Sequence, residues 1–451
     1  MLSVGAVYEK LRPGPGRPEP EVASHQRTRI HAAMIEIAAE SGYDAVTVRK
    51  LTRLAHVSTG SFYKHFEDKE ECFLSTYEQL VLAAARRMVS AQRAGQDWRE
   101  RLRLGLRTLT EDVAAEPKAA RLVLLEPFAV GPAASDRIAR AQAISEAVVR
   151  ASFNQGAGPI AIDSFLVSAI VAGATRVTRA RLLAERVEAL PELVDQLLEW
   201  ACSLVGRFAE PPDPSPGLPA DPDPDRETER SEGSRSAAGD ERTLALAATA
   251  KLAAQGGYGA LSTLRIRATA GVSRKSFQAN FTGAEDCFLE AVEQLSESAL
   301  TEATADGVRA HNWATGVHRT VAGLCARLAE DEVLSKLAFV EILAPGLSGI
   351  RRRERLVGFA AEHLRRSAPP AHRPARLAAE ASTAAAWDAI HRQVRGEQAA
   401  QLQAQAPALA LLLLAPPGER ASNAGAPDSR SRAPALSEHP TTRRLLGALR
   451  A

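Results

Sequence analysis

A short polar stretch near position 60 carries the side chains of this sequence that are best suited to bind a charged partner. Thr59, Gly60, Tyr63, Lys64 and His65 lie within seven consecutive positions. A hydroxyl, a phenol, an ammonium and an imidazole on one helical face can bind phosphates and base edges in a DNA major groove. The stretch therefore favours recognition of double-stranded DNA.

The residues before and within this stretch predict helices joined by a tight turn. Apolar residues at three- and four-residue spacing predict a first helix over 26–41. Thr47 stands where the N-cap of a second helix belongs, and Ser58 can cap a third helix over 59–65. Helices joined by so tight a turn cross steeply, which leaves the outer face of the last one exposed.

A long helix and a group of apolar side chains are expected to hold this face in place. Asp68 and Glu71 have the spacing of a helix start, which predicts a helix over about 68–92. The residues expected to point into the core are Val57, Phe62, Phe66 and Phe73. Cys72 is expected to be a small buried hydrophobe.

The segment from Thr47 to Leu74, which ends in VSTGSFYKHFEDKEECFL, resembles the N-terminal domain of the TetR-like (tetracycline-repressor-like) family. The resemblance implies an all-helical, dimeric transcriptional regulator, commonly a repressor, whose variable C-terminal domain binds a small effector. It also implies which residues bind DNA. Phosphates would be contacted by Thr47, Tyr63, His65 and Lys69, and base edges would be approached by Thr59, Gly60 and Lys64.

The sequence repeats itself at a fixed offset of 215 positions. Over 42–80, 16 of 39 residues are identical to their partners without a gap. The register extends farther, because Trp98 aligns with Trp313 and Glu126 with Glu341. The predicted fold class is therefore all-α, with two tandem TetR-like units. Each unit is a three-helix helix-turn-helix domain followed by a helical effector or dimerisation bundle.

Composition sets the predicted boundaries, because stretches dense in Pro, Asp, Glu, Ser and Gly cannot bury enough apolar surface to fold. The predicted segments are a disordered arm over 1–25, a helix-turn-helix domain over 26–75, a helical effector and dimerisation domain over 76–209, a Pro/Asp-rich linker over 210–240, a second, divergent helix-turn-helix domain over 241–290, a second helical domain over 291–415 and a disordered tail over 416–451. Within the tail, a short helix is possible over 441–449.

The second copy differs from the first at three positions expected to face phosphate. Gln278 replaces Tyr63, Asn280 replaces His65 and Ala284 replaces Lys69. Residues 27–69 contain seven Lys and Arg against five Asp and Glu, a net charge of +2. Residues 242–284 contain six Lys and Arg and no acidic residue, a net charge of +6.

Two interpretations of the second copy follow. It is either a decayed module retained for dimerisation, or a DNA reader of altered sequence preference, since each cation that neutralises a phosphate releases a counterion. The candidate DNA-binding residues of the second copy are Ser262, Arg274, Lys275, Gln278 and Asn280.

The 31-residue linker leaves two assemblies possible, a homodimer and an intrachain pseudo-dimer. A flexible linker of that length spans roughly 30 Å, and half-sites of dimeric helix-turn-helix proteins lie about 34–36 Å apart. The helices expected to pair are those over 161–187, 191–208, 376–395 and 402–415.

Other classes of protein find little support. The net charge is only +2, and the spacing of the cysteines, Cys72, Cys202, Cys287 and Cys325, suits neither a metal site nor a disulfide framework. The sequence has no signal peptide, transmembrane segment, GxSxG, P-loop or HExxH motif. We therefore expect a cytoplasmic protein that needs no metal or cofactor and is not an enzyme. The alternative is a helical ligand-sensing or interaction protein in which one or both helix-turn-helix units no longer bind DNA.

Overall fold

A computed structural model describes residues 19–131, 134–154, 162–209, 237–308, 310 and 312–414 of the chain. Over these residues the chain forms α-helices and short 3-10 turns and contains no strand. The helices of the first copy are α1 (Glu19–Ser41), α2 (Val48–Ala55), α3 (Thr59–Tyr63), α4 (Lys69–Gln92), α5 (Trp98–Ala115), α6 (Pro117–Leu124), α7 (Ser135–Asn154), α8 (Ser164–Leu183) and α9 (Val194–Ala209).

The second copy repeats this order helix by helix. Its helices are α10 (Ala237–Gly256), α11 (Thr263–Ala270), α12 (Arg274–Asn280), α13 (Ala284–Val308), α14 (Trp313–Glu330), α15 (Glu332–Phe339), α16 (Leu347–Ser367), α17 (Arg376–Arg395) and α18 (Leu402–Leu413). The predicted all-α tandem architecture is confirmed. No helix within the described ranges is long and apolar enough to cross a lipid bilayer.

Two compact units divide the chain without following the duplication. Among the described residues, the first unit contains those up to Cys202 together with Leu343–Ala389, and the second contains those over 203–342 together with those over 390–414. The first compact unit therefore holds the first helix-turn-helix, α8, α16 and most of α17. The second compact unit holds the second helix-turn-helix.

The caps predicted for the helix-turn-helix form as expected. The Thr47 hydroxyl accepts a hydrogen bond from the Lys50 backbone N–H at the start of α2. Ser58 caps α3 in the same way, and Asp68 caps α4 by accepting from the Glu71 N–H at 2.8 Å. These bonds satisfy donors that the first helical turn leaves unpaired, so they fix where each helix begins.

The predicted core of the first helix-turn-helix is confirmed. Phe62, Phe66, Phe73 and Cys72 are buried, and Val57 packs half-buried against them. In the second copy the same positions are occupied by Phe277, Phe281, Phe288 and Cys287, which are also buried. Within each copy the apolar side chains of the turn thus pack on the helix before it.

Three predicted boundaries are wrong. Helix α1 begins at Glu19, so the arm expected over 1–25 is helical from that residue onward. Pro20 falls in the first turn, where its missing N–H and fixed φ are compatible with a helix. Helix α10 begins at Ala237, inside the predicted linker. Helix α3 ends at Tyr63, because the His65 N–H bonds to the Phe62 carbonyl and tightens the chain into a turn.

The C-terminal helices lie close to their predicted positions. Helices α8 and α9 are separated by two 3-10 turns over 187–189 and 191–193, which shortens both relative to the prediction. Helix α17 has the predicted bounds, and α18 ends at Leu413. The linker over 210–236, the tail and its possible helix over 441–449 lie outside the described residues.

Candidate nucleic-acid interface

The polar face predicted near position 60 forms on α3 and the turn that follows it. Thr59, Gly60, Tyr63 and Lys64 are all exposed, and Tyr63 retains 56% of its accessible surface despite its apolar ring. Phe62 lies fully buried beneath it, and the two rings meet edge to face with centroids 5.4 Å apart. A rigid support therefore presents three side chains and the backbone of Gly60 to a partner.

Three other predicted contacts are placed at the rim of this face. Thr47 is exposed, although its hydroxyl already accepts the cap hydrogen bond of α2. Lys69 is half-buried, with its ammonium 4.4 Å from the centroid of the Tyr43 ring. His65 is half-buried, and its Nε2 lies 3.3 Å from Gln26 Oε1. Burial, helped by the charges of Arg27 and Lys64, lowers the pKa of His65, which favours a neutral hydrogen-bonding imidazole.

The structure adds cations that the sequence analysis overlooked. Arg49 and Arg53 are exposed on α2, one helical turn apart, and their four-residue spacing could have identified them. Lys50, also exposed, donates to the Ala45 carbonyl at 2.7 Å. Arg27 is held closer to the core, because its Nη2 donates to Ser75 Oγ at 3.1 Å and its guanidinium lies over Phe66.

The second copy presents a different face. Ser262, Arg274, Lys275 and Gln278 are exposed, so four of its five candidate residues are accessible. The fifth, Asn280, is half-buried and donates back to the Ser276 carbonyl at 2.9 Å. In the second copy the exposed candidate cations thus lie at the start of α12, whereas in the first copy Lys64 lies at the end of α3.

Two features weaken the excess charge of the second copy. Arg242 is ion-paired with Glu290, an acid that lies outside the window of six cations. Leu264, which occupies the repeat position of Arg49, is 73% exposed on α11. The surface available to phosphates is therefore less basic than the residue count alone suggests.

Polar contacts fasten the first helix-turn-helix to the helical domain that follows it. Glu126 is buried, and its Oε2 accepts a hydrogen bond from the Tyr43 backbone N–H at 2.9 Å. Arg121 Nε donates to the Ala39 carbonyl at 3.2 Å. Lys118 on the same helix is ion-paired with Glu36 and Glu40 of α1. Glu126 and Arg121 thus both lie against the first helix-turn-helix domain.

The second copy keeps only part of this attachment. Glu341 Oε2 accepts from the Tyr258 N–H at 2.7 Å, which reproduces the Glu126 contact. The position of Lys118 is taken by Val333, and Lys336, in the place of Arg121, is ion-paired with Glu332 on its own helix. Fewer polar contacts of this kind therefore hold the second helix-turn-helix.

Replacing Glu126 by Gln should loosen the first helix-turn-helix and leave the second unchanged. The carboxylate accepts a buried hydrogen bond, and such bonds to charged groups contribute about 1.5–3 kcal/mol. We expect the free energy of local opening to fall by roughly 1–2 kcal/mol. The readout is thiol labelling of Cys72, which is buried in the first domain, with Cys287 as the equivalent buried thiol of the second.

The matched variant is Glu341→Gln, which should reverse the pattern and speed labelling of Cys287 alone. Cys202 and Cys325 are replaced by Ala in every sample so that they add no signal. Equal labelling of both reporter thiols in either variant would contradict a local role for these carboxylates.

Both helix-turn-helix segments match a family of known proteins. The model of the family described as "Bacterial regulatory proteins, tetR family" matches residues 30–76 and again residues 245–291. The resemblance noted in the sequence is thereby confirmed for each copy. Each of the two matched segments is thus a TetR-like helix-turn-helix domain, and the two matches support a DNA-binding transcriptional regulator.

Solved structures of regulators are also similar to parts of this chain. The fatty acid degradation regulator FadR from Bacillus halodurans is 18% identical, with a TM-score of 0.36 over 42% of this chain and 96% of its own. FadR from Bacillus subtilis, solved with stearoyl-CoA, is 20% identical, with a TM-score of 0.35 over 38% and 96%. A TetR family transcription regulator from Marinobacter aquaeolei is 22% identical, with a TM-score of 0.33 over 41% and 95%.

Proposed function

We propose that the chain represses transcription by placing α3 of its first copy in the major groove of an operator. The observation that carries the proposal is the exposed face of Thr59, Gly60, Tyr63 and Lys64 above the buried Phe62. A recognition helix contacts base edges with its N-terminal residues, which suits Thr59 and Gly60. Tyr63 and Lys64 would bind phosphates or bases, with Arg49 and Arg53 of α2 alongside.

Release by a small-molecule effector is the second part of the proposal. The helical domain over 76–209 would bind the effector, and its attachment to the DNA-binding domain over 26–75 supports a mechanical connection. Helix α6 contacts α1 through Lys118 and Arg121, and Arg179 of α8 donates to the Leu124 carbonyl of α6 at 3.1 Å. A ligand that shifts α8 relative to α6 would thus move helices that fix the helix-turn-helix.

The experiment that tests DNA binding uses the whole chain and duplexes from the region upstream of its own gene. Fluorescence anisotropy compares wild type with Tyr63→Ala/Lys64→Ala. We expect the double variant to lose affinity by at least about thirtyfold, because it removes two contacts that are worth about 1–3 kcal/mol each. Arg107→Ala, an exposed cation of α5 outside both helix-turn-helix domains, is the control and should keep the wild-type affinity. Undiminished affinity in the double variant would remove α3 from the interface.

We propose in addition that the second copy, over 241–290, contacts DNA through phosphates. Arg274 and Lys275 stand exposed at the start of α12. Replacing both by Ala should reduce the slope of log affinity against log salt by about one to two, since each lost phosphate contact releases about one counterion fewer. Lys251→Ala, an exposed cation on α10, is the control. A slope equal to that of wild type would leave the second copy without a phosphate contact.

A ligand-sensing or interaction protein without DNA binding is the alternative function. The exposed Leu264 on the second copy favours it there, because an apolar side chain in the place of Arg49 suits a protein partner better than phosphate. Wild type that binds no duplex at low ionic strength would establish this alternative for both copies.

A further inference from the structure

A buried cluster of charges joins helices of the two copies inside the first compact unit. Arg176 of α8 places Nε 3.1 Å from Oε2 of Glu354 on α16 and Nη1 3.6 Å from Oε2 of Glu380 on α17. Arg179 places Nη1 3.6 Å from Oε1 of Glu354. These four side chains are at most 13% exposed. Arg176 and Arg179 come from the first copy, and Glu354 and Glu380 come from the second. Two arginines of the second copy also contact these carboxylates: Arg353 lies 3.6 Å from Glu354, and Arg376 lies 3.2 Å from Glu380.

Among the described residues, three of the five arginines that pair with Glu354 and Glu380 come from the first copy, because Arg181 joins Arg176 and Arg179 by lying 3.5 Å from Glu380. Within the part of the chain that the structure describes, neither oxygen of Glu354 has a hydrogen-bond partner, and Oε2 of Glu380 has none. The pairing with Arg176 is therefore one of charge proximity rather than of aligned hydrogen bonds. A buried carboxylate that loses its opposing cation is strongly destabilised, because the low-dielectric interior cannot solvate it.

Helices α8 and α17 occupy equivalent places in the two copies. They align when the sequence is shifted by 212 positions, whereas the helix-turn-helix domains align at a shift of 215 positions. Both contain 20 residues. Each is followed two residues later by a glutamate with positive φ, Glu185 at 54° and Glu397 at 56°. The same turn closes both, since the Glu185 N–H bonds to the Leu182 carbonyl and the Glu397 N–H to the Val394 carbonyl.

This alignment shows that the cluster is not repeated. At the equivalent positions Arg176 corresponds to Asp388, and Glu380 corresponds to Ser168. Glu354 corresponds to Ala139 at an offset of 215 and to Gln142 at an offset of 212, neither of which is acidic.

Self-pairing of either copy would therefore place the wrong residues together. Two first copies that met in the same way would bury Arg176 against Ser168 and an uncharged residue of α7. Two second copies would bury Asp388 against Glu354 and Glu380, and these carboxylates would keep only Arg353 and Arg376 of their own copy as cationic partners. An interface discriminates against a partner most effectively by such unpaired or repelling buried charges.

A buried hydrogen bond between the two copies is likewise possible only between unlike copies. Trp200 Nε1 donates to Ser382 Oγ of α17 at 3.0 Å, and both residues are buried. The edge of the Trp200 ring covers Gly173, where an added Cβ would lie 2.2 Å from Cη2. Ile170 occupies the position of Ser382 in the first copy, so self-pairing would place an aliphatic side chain against the indole N–H.

We propose that this cluster commits α8 to α16 and α17 of its own chain, so that the surface by which a TetR-like subunit would pair with a second copy is already occupied. The occupant is the second half of the same chain, as the composition of the first compact unit indicates. The inference goes beyond the proposed function and does not depend on DNA binding. The duplicated second half thus serves as a built-in partner.

The first experiment measures the mass of the wild-type chain by sedimentation from about 10 nM to about 10 µM. Two differently tagged copies are also co-expressed and purified through one tag. We expect the mass of a single chain at every concentration and no mixing of the tags. A stable dimer, whether self-paired or formed by exchange of helices between chains, would overturn the proposal.

The second experiment exchanges the two equivalent charges in one variant, Arg176→Asp/Asp388→Arg. The exchange keeps composition and net charge. Within one chain, the new carboxylate at position 176 of α8 faces Glu354 and Glu380 and repels them. Between two chains, the new guanidinium at position 388 of α17 can pair with the same glutamates of the other chain. We expect the mass to double and the tags to mix. The control exchanges an exposed ion pair of the same compact unit, Arg103→Asp/Asp195→Arg, and should sediment as a single chain.

An exchange variant that stays a single chain would show that the cluster does not select the partner. If that variant does not fold, the single variant Asp388→Arg tests the proposal instead, because it leaves Arg176 and both glutamates intact. This single variant should mix tags at about 100 µM, because second copies then become complementary. Copies that remain unmixed would contradict the proposal.

Discussion

Replacing Phe62 by Ala is expected to open the first helix-turn-helix and to abolish DNA binding by that copy. Phe62 is fully buried beneath the α3 face, with its ring centroid 5.6 Å from that of Phe66 and 5.4 Å from that of Tyr63. Truncation of a buried phenylalanine costs about 3–5 kcal/mol, because apolar contacts are lost and a cavity remains. A small three-helix domain has little stability beyond that amount.

Labelling of Cys72 measures this effect within the full chain. A loss of about 3–5 kcal/mol corresponds to labelling faster by about two to four orders of magnitude. Cys287 should keep its wild-type rate, since Phe62 lies in a different compact unit. Phe277→Ala, at the same position of the second copy, should produce the reverse pattern. Protection of Cys72 that survives Phe62→Ala would mean that α3 is not held by this side chain.

The local architecture could be predicted because its determinants lie close together in sequence. Thr47, Ser58 and Asp68 each cap a helix that begins at the next residue, and Phe62 and Phe66 have the spacing of one helical face. The error at the N-terminus came from composition, because a stretch rich in proline was expected to remain disordered. Pro20 instead occupies the first helical turn, where proline is tolerated.

The contacts that join distant segments could not be predicted in the same way. Glu126 bonds to Tyr43 across 83 positions, and Arg176 meets Glu354 across 178. Periodicity shows that a residue faces a core, but it does not show which distant residue faces it there. The repeat offered one signal, since Glu341 matched Glu126 in the alignment. It offered none for the charge cluster, because the two copies differ at those positions.

Acidification should weaken the first helix-turn-helix through His31. This buried imidazole places Nδ1 2.7 Å from Thr76 Oγ1, and the Thr76 hydroxyl already donates to the Cys72 carbonyl. Nδ1 must therefore donate, and Nε2 accepts from Arg27 Nε at 3.4 Å. A proton on Nε2 would oppose the Arg27 N–H. Burial, with the charge of Arg27, lowers the pKa of His31 from 6.5 to about 4.

The sign of the effect follows from this lowered pKa. In the unfolded chain the imidazole takes up a proton near pH 6.5, whereas in the folded domain it stays neutral until about pH 4. The unfolded state therefore binds more protons between these values, and stability falls as the pH falls. The loss is negligible above about pH 7, reaches about 2 kcal/mol at about pH 5, and levels off near roughly 3 kcal/mol below about pH 4.

The measurement is the rate of Cys72 labelling from about pH 7.5 to about pH 5 with a disulfide reagent that reacts in acid, divided by the rate for the unfolded chain at the same pH. We expect the opening free energy to fall by about 2 kcal/mol over this range. The second copy is a natural control, since Leu246 and Ala291 stand in the places of His31 and Thr76, and labelling of Cys287 should change far less. His31→Leu should give the first copy the same flat profile, because Thr76 keeps its bond to Cys72. A profile that stays steep in that variant would assign the acid sensitivity to other groups.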